Sequence, residues 1–469
     1  MSFELEDHSM EEQFERLIES NDTVGMRDFL NEQNISDVAS LIDEYPDYEA
    51  QIIGNMAIHR AASVFKIIDV SVQQRIVREL PPFKTAELLN ELPADDRTDF
   101  LEDLPKEAIR DLIKLLDPEE RKITLSLLGY PEDSVGRLMT PDYVYVYEHN
   151  TVDEVLNVIR KVARNIETVD VIYIINEKGE LIDDIKLRDI ILATPEKRMD
   201  DLVDGRIVSL NVIDDQEHAT QVFKMNNRVA LPVTDDNNIL LGIVTIDDIL
   251  WVADEEFSED MQKMGGTEAL EEPYLETPFF KLIKKRAGWL IVLFISEMLT
   301  ATAMAYFSDE LAKAVVLSIF VPLIMSSGGN SGSQASTLII QAMAVGEVTL
   351  IDWWRVMRRE IFQGLTLGSI LGTIGFLRIC LWHVLMQHGI IGDLYGPDWL
   401  MVAFTVGISL IGVVLWGTLS GSMLPLALKK FGADPAASSA PFVATLVDVT
   451  GLIIYFSVAF VFLKDMLSK

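Results

Sequence analysis

One cysteine in 469 residues leaves no disulfide framework and no thiolate metal cluster, and that one, Cys380, lies in an apolar run. Basic residues are scarce as well: 39 Lys and Arg face 73 Asp and Glu, a net charge of −34. Without a basic stripe there is nothing to hold a phosphate backbone, so no nucleic-acid partner is expected. No Gly-x-x-x-x-Gly-Lys-Ser/Thr loop occurs, which leaves ATP-driven pumping unsupported; with no catalytic residues to assign, the chain is not expected to be an enzyme. The opening MSFELEDHSMEEQFE is acidic and has no apolar core, so no secretory signal is expected.

The charge is unevenly spread. Residues 1–280 hold 26 basic and 62 acidic side chains, whereas the remainder holds 13 and 11. That remainder contains five stretches apolar enough to cross a bilayer, near 287–307, 312–344, 359–387, 399–428 and 438–464, which excludes a purely soluble protein. Lys281, Lys284, Lys285 and Arg286 precede the first; Arg355, Arg358 and Arg359 separate the second from the third; Lys429 and Lys430 follow the fourth. The intervening 308–311 and 388–398 loops carry no Lys or Arg. The positive-inside rule therefore places the acidic N-terminal half in the cytoplasm and the C-terminus outside, with Lys464 and Lys469 a mild exception.

The second stretch is too long for one plain helix, since its 33 residues would rise roughly 50 Å against a hydrocarbon core of about 30 Å. It contains GGNSGSQ, Gly328 to Gln334, which reads as a polar break whose carbonyls and side-chain oxygens line a wet cavity; the bland reading is a kinked helix packed on a neighbour. Gly364, Gly368 and Gly372, and Gly417 and Gly421, read as close helix–helix contacts. The ionisable residues deeper in the spans that stand out are Glu297, Arg378 and Asp448. Asp448 lies near the midplane within TLVDVTG, where a carboxylate is protonated, holds a cation or makes a structural hydrogen bond. Glu297 and Arg378 read equally well as a mutual ion pair or as part of a transport route, and His383 and His388 as interfacial.

Residues 1–130 read as short helices stacked in a small solenoid, punctuated by Leu80-Pro81, Leu92-Pro93, Leu104-Pro105 and Asp117-Pro118. Asp95, Asp96, Asp99, Glu102 and Asp103 give that stack an acidic face. Farther on, residues 171–190 and 230–249 align at an offset of 59, each a strand, turn, strand and then an Asp at a helix start. Residues 247–266 place Asp247, Asp254, Glu255, Glu256, Glu259 and Asp260 on one helix just before the first span. Such carboxylates repel unless an oxygen-seeking divalent cation such as Mg²⁺ or Ca²⁺ relieves them, or the helix is simply a solvated linker.

The repeated unit resembles a tandem pair of CBS domains, on Leu138-Met139-Thr140-Pro141, Leu187-Arg188-Asp189 and Gly242-Ile243-Val244-Thr245 followed by Asp248. That resemblance implies an adenine nucleotide such as ATP, with Arg188 and Asp248 as its candidate contacts, although Asp183-Asp184 stands where the family has Gly and a small residue. As a whole the chain is similar to the MgtE family of bacterial magnesium channels, most specifically through Pro322 with GGNSGSQASTLII and through PFVATLVDVTGLIIYF. The resemblance implies a multidomain α and α/β chain with a polytopic α-helical membrane domain: a helical N domain at 1–130, CBS domains at 131–196 and 197–254, an acidic plug helix at 255–280 and a five-helix pore domain at 281–469. It further implies a homodimer in the cell (inner) membrane, passing Mg²⁺ along a pore lined by Asp448, Asn330, Gly328, Gly329 and Ala444. Cytoplasmic Mg²⁺ would close that pore through Asp95, Asp99, Glu217, Asp247, Asp248, Glu255, Glu256, Glu259 and Asp260. Trp251, His218 and Ala440 stand where the family resemblance implies polar or acidic residues. Two other classes fit the same residues: a proton- or Na⁺-coupled transporter using Glu297 and Asp448, and a membrane-bound sensor that transports nothing.

Overall fold

The computed structural model of this chain describes residues 3–102, 104–163, 166–270, 273–275, 277–308 and 315–464. Asp103, Lys469 and residues 312–314 of the expected second span lie outside these. The chain divides into two compact units, Met1–Asp254 and Glu255–Lys469.

The first unit opens with helices α1 (Phe3–Ser20), α2 (Thr23–Glu32), α3 (Ile35–Glu44), α4 (Glu49–Asn55), α5 (Ile58–Phe65), α6 (Val70–Glu79), α7 (Pro82–Glu91), α8 (Ala94–Glu102), α9 (Lys106–Ile113) and α10 (Pro118–Leu127). The Leu-Pro pairs set their ends. Leu80 closes α6 and Leu92 closes α7, while Pro81, Pro105 and Asp117 sit at the N-caps of α7, α9 and α10. Proline suits such starts because its missing N–H is one that a helix leaves unpaired there anyway. Phe14, Leu30, Leu41, Phe65, Leu89 and Phe100 are among the buried residues of the shared core.

After α11 (Val135–Leu138) come two three-stranded sheets. In the first, β1 (Tyr145–Tyr147) runs parallel to β2 (Val171–Ile175), which pairs antiparallel with β3 (Leu181–Lys186); in the second, β4 (Leu210–Asn211), β5 (Ala230–Thr234) and β6 (Leu240–Thr245) repeat that order. The repeat extends to the ladder's irregularity, which falls at Ile174/Ile175 in one sheet and Val233/Thr234 in the other, 59 residues on as in the sequence. Helices α12 (Val152–Val162), α13 (Leu187–Leu192) and α14 (Gln216–Asn226) complete the pair. Tyr173, Ile175, Ala230 and Ile243 form a core joining the sheets. Asp183 is a buried structural carboxylate: it accepts backbone N–H bonds from Asp184, Asp204 and Gly205 at 2.8–3.0 Å.

The acidic helix α15 (Ile246–Met264) follows directly from β6. The second unit then contains α16 (Phe279–Tyr306), α17 (Val315–Ser318), α18 (Val321–Ala344), α19 (Trp353–Gln387), α20 (Trp399–Lys430) and α21 (Ala440–Phe462). Five helical segments among the described residues are long and apolar enough to span a membrane. Three details differ from the expectation. The first span starts at Phe279, so its basic cluster lies on the helix, and Arg355, Arg358 and Arg359 lie within α19 rather than in a loop. Arginine and lysine are good helix formers whose long stems reach back to water, so they mark the membrane edge without ending the helix. The expected break at GGNSGSQ is instead continuous helix in α18, and the interruption falls earlier, between Ser318 and Val321.

The glycines explain why α18 can remain helical. Gly328 and Gly332 face α20 and α21, where added methyl groups would strike Val413, Val447 and Val443, and a methyl at Gly421 would strike the Gly332 carbonyl. Gly368 of α19 lies equally close to α20, a Cβ there falling 2.8 Å from the Ile411 Cα. Replacing Gly421 by Ala should therefore destabilise the membrane unit by about 1–3 kcal/mol through overpacking. Ala at Gly392, which would meet nothing within 4 Å, should be neutral; thermal unfolding of the two variants in detergent checks the difference.

Candidate ion path and acidic junction

The polar residues of α18 fall on one helical stripe. Ser326, Asn330 and Gln334 recur every fourth residue and are exposed, whereas Gly328, Gly329, Ser331, Gly332 and Ser336 are buried against the other helices. Asn330 Nδ2 lies 3.4 Å from Ser326 Oγ. On α21 the matching stripe is Ala440, Ala444 and Asp448, all half-buried. A Cβ at Gly329 would lie 3.4 Å from that of Ala444, so the two stripes run side by side. Ser333 and Ser336 donate to the carbonyls of Ala440 and Ser438 at 2.9 and 2.8 Å, fixing the register. Thr445 and Thr450 use their hydroxyls on carbonyls of their own helix, at Pro441 and Leu446.

This arrangement brings Gly329 against Ala444, with Asn330 and Asp448 on the two adjoining stripes, but it changes the role expected of the glycines. In an intact helix the carbonyls of Gly328 and Gly329 serve the backbone ladder, and what these residues contribute is close approach. No ion pair joins Glu297 to Arg378 among the described residues; Glu297 is exposed on α16, and Arg378 lies over the Trp382 ring, 5.2 Å from its centroid. His383 stacks on Trp399 with ring centroids 4.0 Å apart.

The second constellation lies where the helical stack meets the second sheet's end. Helix α8 is held there from within. Arg97 is fully buried and donates to Thr124 and to the carbonyls of Leu89 and Leu92, and it pairs with Glu120 at 2.5 Å. Ala94 and Leu127 join the core of the second sheet with Leu210, Phe223 and Val244. Arg137 of α11 pairs with Glu102. So clamped, α8 presents Asp95 and Asp96 towards Asp247 and Asp248 at the start of α15.

These carboxylates are crowded. Asp95 is 6 % exposed, and its Oδ1 has no hydrogen-bond partner. Burial, then the charges of Asp248, Asp96 and Glu167, hold it well above the usual carboxylate range. Burial, with Asp247 and Asp96 nearby, pushes Asp248 up to about 7, against hydrogen bonds from Thr245 that pull it down. The Thr245 hydroxyl lies 2.5 Å from Asp247 Oδ1 and 2.6 Å from Asp248 Oδ2. One hydroxyl hydrogen serves only one of them, so the other contact calls for a proton on a carboxyl.

Other expected sensing residues lie elsewhere. Asp99 is exposed one turn along α8, and Glu217 is exposed in the first turn of α14. Glu255, Glu256, Glu259 and Asp260 occupy the later turns of α15, in the second unit. There Glu259 pairs with Lys263, which also reaches Asp434 at 2.8 Å, the Asx cap ahead of α21. No hydrogen bond or ion pair joins Arg188 to Asp248 among the described residues; Arg188 is exposed and meets Asp189 at 3.3 Å, whereas Asp248 faces the junction. Among the described residues no three His, Cys, Asp or Glu side chains close into a direct metal cage. Mg²⁺ that keeps its waters needs none. Lys66, Glu167 and Lys263 were absent from the sequence-based sets, because nothing local marks a residue whose importance comes from another segment.

Comparison with known proteins covers both units. Residues 9–133 match the MgtE intracellular N domain, 135–196 and 200–255 match CBS domains, and 321–458 match the divalent cation transporter family MgtE. A magnesium transporter MgtE of Thermus thermophilus is 39 % identical over 345 residues, 74 % of this chain and 73 % of that protein. The magnesium transporter MgtE of Bacillus subtilis is 30 % identical over 75 % of this chain and 74 % of its own. The solved cytosolic domain of the Mg²⁺ channel MgtE in complex with ATP is 34 % identical with a TM-score of 0.50, covering 51 % of this chain and 98 % of that one. With helical stack, repeated sheets and spanning helices all matched, this chain belongs to the MgtE family of divalent cation transporters.

Proposed function

We propose that this chain carries Mg²⁺ passively into the cell through a homodimeric pore, with Asp448 of each protomer at its narrow part and no enzymatic step. The observation that supports this most is the pair of adjoining stripes on apolar helices, the exposed polar Ser326, Asn330 and Gln334 on one and the half-buried Ala440, Ala444 and Asp448 on the other. Polar groups persist at membrane depth where they meet protein or water, and a second copy facing these stripes provides both. Mg²⁺ gives up water reluctantly, so a pore suits it by holding hydrated ions with few charges and several weak oxygens. Two Asp448 carboxylates balance one divalent ion. Two charges crossing about 100 mV gain roughly 4.6 kcal/mol, so uptake requires no coupled ion. The orientation proposed in the cell membrane, with the acidic half cytoplasmic and the C-terminus outside, is supported by the distribution of Lys and Arg.

Gating is assigned to the acidic junction. Asp95, Asp96, Asp247 and Asp248 come from separate segments of the first unit, and a cytoplasmic Mg²⁺ drawn by the unpartnered Asp95 oxygen would favour their joined state. The later carboxylates of α15, from Glu255 to Asp260, carry that response towards the membrane helices as a plug. For an adenine nucleotide we retain Arg188 as a contact in the CBS pair and reassign Asp248 to the metal.

Liposomes containing only this protein should take up Mg²⁺ independently of pH gradient and Na⁺, and Asp448→Ala and Asp448→Asn should each reduce the flux about tenfold or more, on the order expected for removing a charge at membrane depth. Native flux in dimeric, folded variants would move the ion path away from Asp448.

The junction also predicts a pH dependence. With its folded value near 7, Asp248 keeps a proton that the unfolded chain gives up near ~4. Its contribution to stability is therefore full below ~4 and is lost as pH rises towards 7 in metal-free buffer. Bound Mg²⁺ replaces that proton, so the internal Mg²⁺ needed for half-inhibition should rise about tenfold from pH 8 to pH 6. Asp248→Asn should flatten the profile; flux measured with buffered internal Mg²⁺ checks both.

A further inference from the structure

The acidic junction contains a cation of its own. Lys66 caps the end of α5, its N–H bonded to the Ala62 carbonyl at 3.1 Å. Its ammonium lies 3.4 Å from Asp96 and 3.8 Å from Asp247, bridging the helical stack to the start of α15. The neighbouring Phe65 fixes that position. It is fully buried and packs edge-on against Phe100, one helical turn beyond Asp96, with ring centroids 5.3 Å apart. Burial lowers the ammonium's proton affinity, but Asp96, Glu167, Asp247 and Asp95 more than offset this and keep Lys66 charged.

The junction is therefore divided. Asp96 and Asp247 share Lys66, whereas Asp95 retains a buried, unpartnered oxygen and has Asp248 as its largest charged neighbour. We propose that Lys66 is a tethered cation filling one of two cation positions at this junction, so that a divalent ion takes the Asp95–Asp248 position against its repulsion. Lys66 would then set how much cytoplasmic Mg²⁺ this chain needs in order to respond. It would also hold part of the junction together when Mg²⁺ is low, making the sensor less sensitive without leaving five carboxylates unbalanced. This inference rests on the gating role assigned to the junction above.

The test uses the full-length dimer. Mg²⁺ binding is titrated calorimetrically in detergent, and flux into liposomes is measured against internal Mg²⁺. Neutral Lys66→Met and Lys66→Gln should lower both half-saturating and half-inhibitory Mg²⁺ by about tenfold, the scale for removing one nearby unit charge at partly buried sites. Lys66→Arg, which retains the charge, should remain near native, and Asp95→Asn should weaken binding strongly. Unchanged or weaker Mg²⁺ affinity in folded Lys66→Met and Lys66→Gln, with Asp95→Asn still impaired, would overturn the role of Lys66 while leaving the sensor intact. A native protein indifferent to internal Mg²⁺ would overturn the sensor, and Lys66's part with it.

Discussion

Carboxylates brought together out of water can be stabilised by a proton, by an ammonium group or by a metal ion, and the meeting of α8 with α15 combines the first two in a way that leaves scope for the third. Asp248 sits near neutrality in its proton affinity, Lys66 bridges Asp96 to Asp247, and Asp95 keeps an oxygen without a partner. Such a site is costly to form without counter-charge. Arg97 is why α8 stays in place: with its guanidinium fully buried among carbonyls, Thr124 and Glu120, the helix cannot easily turn its aspartates back to water. The strain is electrostatic and is attached to a well-packed scaffold.

The membrane unit uses one sequence stretch for two opposed purposes. GGNSGSQ has seven small or polar residues in a row, yet 3.6 residues per turn sends Gly328, Gly329 and Gly332 towards α20 and α21 and leaves Asn330 and Gln334 on the other side. Close backbone approach requires the glycines, because dispersion and packing are what hold helices together in lipid. The polar side chains are the residue of that geometry, available to water and ions. A break in the helix would have released carbonyls but forfeited the packing of Gly328, Gly329 and Gly332 against Val447, Ala444 and Val443 of α21.

The large-scale plan was legible because it is periodic. Apolar runs of bilayer length, Leu-Pro punctuation and a 59-residue repeat each report on local structure, and even the matching irregularities of the two sheets obey the repeat. What could not be read was whether a glycine-rich polar segment bends or packs, since that depends on which surface it meets; Gly417 and Gly421, some ninety residues on, decide it. The candidate site divides similarly. Asp448 stood out as an ion-accepting group in an apolar helix. Asp95 and Asp247 stood out only as members of acidic stretches, and Asp248 as the Asp of a CBS-like motif; nothing local separated them as a group from Asp99 and Glu217, which the fold leaves exposed. Lys66 has no local mark at all, and its place follows from Phe65 packing on Phe100.

On the proposed function, one ion serves as cargo and as signal because the two environments differ in how they weigh charge against hydration. Along the α18 and α21 stripes one carboxylate, Asp448, is accompanied by amides and hydroxyls, a setting that suits weak contact with a hydrated divalent ion. At the α8–α15 junction five carboxylates face one ammonium, and the excess charge favours retention. Weak binding suits passage and strong binding suits report, and a transporter that reads its own product needs both. What separates the two settings is the density of fixed charge and its burial, and at the junction Lys66 offsets part of that charge through Asp96 and Asp247.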